Sequence, residues 1–130
     1  MNRRTLLLAP GQVAFVVLLA LVVCLGCRKS TPPPMPLTVQ ELPAALQTAF
    51  NKAKPEPKAL AGQVVAAVQA QDYPAAFLAI QNLANSPGLT KEQMSVTSRA
   101  TLTVNALLQE AQTKGDAQAE QTLQNYRRDK

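Results

Sequence analysis

"QAQDYPAAFLAIQNLANSP", residues 69–87, is the stretch whose reading decides the fold. Asp72 stands directly before an apolar run, in the place of a helix N-cap. Pro74 falls in the first turn, where its missing N–H costs nothing, and "SPG" at 86–88 stops the helix. Tyr73, Phe77, Ile80 and Ala84 recur at helical spacing, which predicts a helix over 73–85. Just upstream, a helix over 58–71 puts Leu60, Val64 and Val68 on one face, with Ala61 and Val65 beside them. Two apolar-faced helices joined by so short a turn make an α-hairpin.

The same signals extend in both directions. "LTVQEL" places Thr38 as N-cap and Glu41 three residues on, a capping box, with Leu37 and Leu42 as the hydrophobic staple around it. "LTKEQM" repeats the device with Thr90, Gln93, Leu89 and Met94, 52 residues later. The first box predicts a helix over 38–53 with Leu42, Leu46 and Phe50 as its stripe, ended by "KPEPK". The second opens the longest helix, 91–114, with a seam of Met94, Thr97, Thr101, Val104, Leu108 and Ala111. Gly115 breaks that helix, Asp116 caps again, and Ala119, Leu123 and Tyr126 mark a short last one. No stretch alternates with period two, so the domain from residue 37 to 130 reads as all-α. About five helices as antiparallel α-hairpins are expected, in a small bundle or a short solenoid, around Leu60, Val64, Val68, Phe77, Ile80, Val104 and Leu108.

The 69–87 hairpin resembles a tetratricopeptide repeat in Asp72, Tyr73, Ala76, Ile80 and Pro87. The resemblance covers about 30 residues, and Val64 and Leu83 fall where that repeat carries smaller side chains. It implies a protein-binding groove beside Tyr73, Ala76 and Phe77. It also implies that Ala76 lies where the two helices approach most closely, with Ala79 on the more exposed side.

The front of the chain has a different plan. "MNRR" is a cationic start, "TLLLAPGQVAFVVLLALVV" a long apolar run, and "CLGC" ends at Cys27. A cut after Gly26 would make Cys27 the first mature residue. The segment resembles a bacterial lipoprotein signal with its lipobox, although Cys24 and Leu25 occupy positions where that family prefers Leu and a small residue. The resemblance implies that residues 1–26 are removed, that Cys27 is acylated, and that the protein faces the periplasm or the exterior from a membrane. Such lipoproteins carry Asp after the lipidated cysteine when retained in the inner membrane; Arg28 stands there, which points to the outer membrane. The alternative is an uncleaved anchor, because Thr5 to Gly26 would make roughly 33 Å of helix at about 1.5 Å per residue. Residues 27–36, "CRKSTPPPMP", read as the lipidated cysteine and a Pro-rich stalk of extended conformation.

Little chemistry remains. The chain has no His, which removes the commonest general base and metal ligand together, and neither a metal nor another cofactor is expected. Of eight carboxylates, Glu41, Asp72 and Asp116 are accounted for as helix starters, and no glycine-rich phosphate loop occurs. With Cys24 cut away and Cys27 acylated, no thiol is left for an internal disulfide. The net charge of +5, reduced to +3 by loss of Arg3 and Arg4, is too small to argue for nucleic acid. The basic end "NYRRDK" reads as a solvated helix terminus with cations favourable to its own dipole. The expected protein is therefore a non-catalytic interaction or scaffolding module with a protein partner, or else a structural spacer of the envelope. Intact mass of the membrane-extracted protein should begin at residue 27 with acyl chains added. Cys27→Ser should abolish the lipid and Cys24→Ser should leave it, whereas a species beginning at Met1 would identify the uncleaved anchor.

Overall fold

The first helix opens on the Thr38 turn. In the computed structural model, which describes residues 32–130, the Thr38 hydroxyl accepts from the Glu41 N–H at 3.2 Å and the Glu41 carboxylate accepts from the Thr38 N–H at 2.9 Å. That reciprocal pair satisfies two donors a bare helix start would leave open. Leu37 and Leu42 close over it, both buried. The Leu42 N–H already bonds the Thr38 carbonyl, and the regular helix α1 runs Glu41–Phe50. It ends three residues short of the expected 53, in a turn closed by the Ala53 N–H on the Phe50 carbonyl.

Helix α2, Pro55–Gln69, starts three residues earlier than the apolar pattern predicts. Pro55 and Pro57 both sit in its first turn, where a proline forfeits no hydrogen bond, so "KPEPK", expected to end α1, instead opens α2 after α1 has already closed at Phe50. Helix α3, Tyr73–Ala84, follows, with the Asp72 side chain accepting from the Ala75 N–H at 3.0 Å. Helix α4, Lys91–Thr113, opens with the complete Thr90/Gln93 capping box. Helix α5, Ala117–Arg128, opens on Asp116, whose carboxylate accepts from the Gln118 and Ala119 N–H groups.

The turns α2–α3 and α4–α5 are built alike. In the first, the Asp72 N–H bonds the Ala67 carbonyl and the Gln71 N–H bonds that of Val68, while Gln71 takes φ +59°. In the second, the Asp116 N–H bonds the Ala111 carbonyl and the Gly115 N–H bonds that of Gln112, with Gly115 at φ +90°. Both are Schellman endings, and each hands the chain directly to an Asp that caps the next helix.

The fold is all-α, with five helices and no strand among the described residues. Helix α1 packs on α2, α2 on α3, α3 on α4, and α4 returns to α1; α5 lies against α4 and α3. Leu42, Leu46, Phe50, Val64, Ile80, Leu83, Val104 and Leu108 are the largest side chains fully enclosed. Six of the seven expected core residues are buried, and Leu60 is only partly so. Three other expectations change. Ala84 is exposed while Ala79 is buried, because α3 is covered by α2, α4 and α5 and buries a broad arc of Ala76, Phe77, Ala79, Ile80 and Leu83. Met94 is exposed, since Gln93 and Val96 are the partly buried residues in that part of α4.

Large-to-small changes in this core should cost about 2 to 4 kcal/mol for Leu46→Ala or Leu108→Ala. Ala76→Leu and Ala79→Leu should both lower the urea midpoint, at about 1 to 3 kcal/mol each. Leu78→Ala, on the exposed side of α3, should leave it nearly unchanged.

Candidate functional site

Tyr73 is the first residue of α3, set there by the Asp72 cap, and it stays half-buried. It lines an open cleft of about 490 Å³ with Gln71, Leu107, Glu110, Ala111, Lys114, Gly115 and Asp116. Both left-handed turn residues, Gln71 and Gly115, border this cleft, so it lies where the two Schellman turns meet. Its walls are largely polar. Lys114 and Glu110 pair across one helical turn at 2.6 Å, and that hydrogen bond, followed by the carboxylate's charge, raises the Lys114 pKa.

The other two residues expected at the groove lie inside the domain. Ala76 is fully buried, and Phe77 packs edge-on against Tyr126 with ring centroids 5.1 Å apart. The pair docks α5 onto α3, and Lys130 lies over the Tyr126 ring at 4.7 Å. Phe77 is thus an internal anchor. Gly26 and Cys27, the expected cleavage and lipidation residues, lie outside the described residues.

A second arrangement has no counterpart in the sequence reading. Arg99 donates from Nε to the Met35 carbonyl at 2.9 Å, and Thr103 donates from its hydroxyl to the Leu37 carbonyl. The two donors stand one helical turn apart on α4 and grip alternate carbonyls of an extended strap, whose Leu37 side chain is buried. Spacing within α4 shows only that Arg99 and Thr103 share a face; what they hold is 64 and 66 residues away. Gln93 acts in a similar long-range way, donating from Nε2 to the Ala49 carbonyl at 3.2 Å near the end of α1.

A third feature is a cavity of about 310 Å³ between α1 and α2, lined by Leu46, Gln47, Phe50, Asn51, Lys58, Ala61 and Gly62. Lys58 bridges its mouth, donating from Nζ to the Asn51 carbonyl at 3.1 Å. A Cβ on Gly62 would meet no atom within 4 Å. The packing of this domain therefore does not require a glycine there, although glycine inside a helix costs about 0.5 to 1 kcal/mol relative to alanine.

Most carboxylates serve the helices themselves. Glu41, Asp72 and Asp116 cap, Glu110 pairs with Lys114, Glu120 accepts from Gln124, and Asp129 lies beside Arg128. Among the described residues no three His, Cys, Asp or Glu side chains cluster closely enough to hold a metal ion, and no helix is long and apolar enough to cross a membrane. No family model matches the chain, and neither does any curated protein or solved structure.

The Glu41 carboxylate is held below its ordinary pKa of 4.5, chiefly by the Thr38 backbone N–H and then by the Thr38 hydroxyl. A lowered folded value means that its contribution is complete above the ordinary pKa and lost as pH falls through the folded one. Acid should therefore loosen the start of α1, read as a fall in the amide protection factors of Glu41 and Leu42, each corrected for the intrinsic exchange rate at that pH, in the wild type. Glu41→Gln should remove most of that pH dependence. Thr103→Val should cost about 1 kcal/mol at neutral pH by leaving the Leu37 carbonyl without its donor.

Proposed function

We propose that this protein is a membrane-anchored, non-catalytic interaction or scaffolding module of the bacterial cell envelope. It is held by lipid on Cys27 after removal of residues 1–26, and faces the periplasm or exterior, with the outer membrane favoured by Arg28. The observation that carries this reading is the strap. The end of the Pro-rich segment is fastened to the middle of α4 by Arg99, Thr103 and the buried Leu37, an arrangement suited to a domain carried on a tether. The employment of six carboxylates in caps and pairs supports a non-catalytic role. The position of Asp72 and Tyr73 at the α2–α3 turn and the burial of Ala76 are what support reading that hairpin as tetratricopeptide-like. The return of α4 onto α1 favours a small bundle over an extending stack.

One observation favours the structural-spacer reading. Ala76 and Phe77, expected to flank Tyr73 at a groove, are enclosed, and the adjoining cleft is largely polar. Photo-crosslinking in intact membranes separates the two. Full-length protein carrying p-benzoylphenylalanine in place of Tyr73 should give a reproducible protein adduct that the same probe at Gln124 does not. Absence of any adduct would transfer the assignment to the spacer.

A further inference from the structure

We infer that the end of the domain where α1 stops and α2 and α4 start is the face turned to the membrane, and that Lys52, Lys54, Lys58 and Lys91 meet anionic phospholipid headgroups there. The inference rests on the membrane-anchored part of the proposed function and adds to it the surface presented to lipid.

Three long-range hydrogen bonds set the direction in which the tether leaves. Thr103 holds the Leu37 carbonyl and Arg99 holds that of Met35, so two residues back along the strap are one turn back along α4. Gln93, nearer the start of α4, holds the Ala49 carbonyl near the end of α1. Followed toward the N-terminus of the chain, the strap therefore heads for Lys91 and the α1–α2 connection. Arg99 stands eight residues from Lys91, about 12 Å of helix at 1.5 Å per residue. Cys27 stands eight residues from Met35, a length of chain that spans at most about 28 Å. With the strap pointing at the membrane, this end is thus held within about 16 Å of it. Turned over, the domain would interpose α4 from Arg99 to Thr113, about 21 Å, and use most of the tether's reach.

Charge selects the same orientation. At the tether end Lys52, Lys54, Lys58 and Lys91 are exposed, with Glu56 and Glu92 among them, a balance of +2. At the other end, around the Tyr73 cleft and the start of α5, Asp72, Glu110, Asp116 and Glu120 stand with a single cation, Lys114, a balance of −3. None of the six tether-end charges forms an ion pair among the described residues, where the pairs are Lys114–Glu110 and Arg128–Asp129. Lys58 donates to the neutral Asn51 carbonyl and keeps its charge uncompensated. Arg28 and Lys29 of the stalk add two further cations on the membrane side. An anionic surface therefore draws one end in and pushes the other out, within a Debye length of about 8 Å at physiological salt.

The test uses full-length, membrane-extracted protein, isotope-labelled and reconstituted into nanodiscs that carry a trace of lipid with a gadolinium-chelating headgroup. Amide relaxation then reports which end stands near the bilayer. In discs containing phosphatidylglycerol, the enhancement at Ala53, Lys54 and Lys91 should exceed that at Gly115 and Gln118 about threefold or more. The difference should shrink in phosphatidylcholine discs and at high salt, a comparison that needs no variant. It should shrink likewise on combining Lys52→Glu, Lys54→Glu and Lys91→Glu, whose spectrum also reports whether the domain is folded, and persist on combining Arg127→Gln with Arg128→Gln. Equal enhancement at the two ends, or enhancement centred on Arg127 and Arg128, overturns the assigned face. A difference identical in the two lipids overturns the headgroup contact, because the tether alone would then account for it. Protein that fails to co-elute with the discs rejects the anchor and this inference together, whereas co-elution without the expected difference rejects the inference alone.

Discussion

The domain depends on the enclosed seam of α4. Thr97, Ala100, Thr103, Val104, Leu108 and Ala111 are its buried residues, and α1, α3 and α5 all pack against this one helix. Four of the six are small, so neighbouring backbones can come close, and Val104 and Leu108 supply the bulk that fills the space between. At 23 residues α4 is the longest helix of the domain, and its neighbours are too short to pack its whole length singly. The strap closes over the same helix through Thr103. Helix α4 thereby gives α1, α3 and α5 a common frame, and α2 joins it through α1 and α3.

The connections reinforce this economy of structure. At both Schellman turns a single Asp ends one helix through its backbone N–H and starts the next through its carboxylate. Only one residue, Gln71 or Gly115, takes the left-handed conformation between them. Gln71 bears a strain that Gly115 does not, since a side chain at positive φ is disfavoured. The hydrogen bonds of Asp72 and the burial of Val68 just before it offset that strain locally. With short turns and a closed ring of helices, ordering entropy is limited and the apolar interior supplies the stability.

What could be read from the sequence was whatever depends on residues three or four apart. Both capping boxes, both Asp caps and the stripes of α1 and α2 follow from such spacings, and the structure contains them. What could not be read depends on how many neighbours a helix has. Ala79 is enclosed because α3 has three partners, and Met94 is exposed although it continues the seam numerically. The same limit applies to the groove residues. Tyr73 stays at a surface, while Ala76 and Phe77 are enclosed, Phe77 against a tyrosine 49 residues away.

The strap has a mechanical consequence. A pull on the chain from its N-terminal side meets the Arg99–Met35 bond first, then the seated Leu37 side chain and the Thr103–Leu37 bond, and only afterwards the Thr38–Glu41 box that starts α1. Tension is thereby delivered to the flank of the longest helix, midway along its length, and not to the end of the shortest. Helix termini are where fraying begins, because their backbone groups lack partners. By taking the load before it arrives there, two side chains of α4 act as a strain relief, and α1 can stay folded while the strap is stretched.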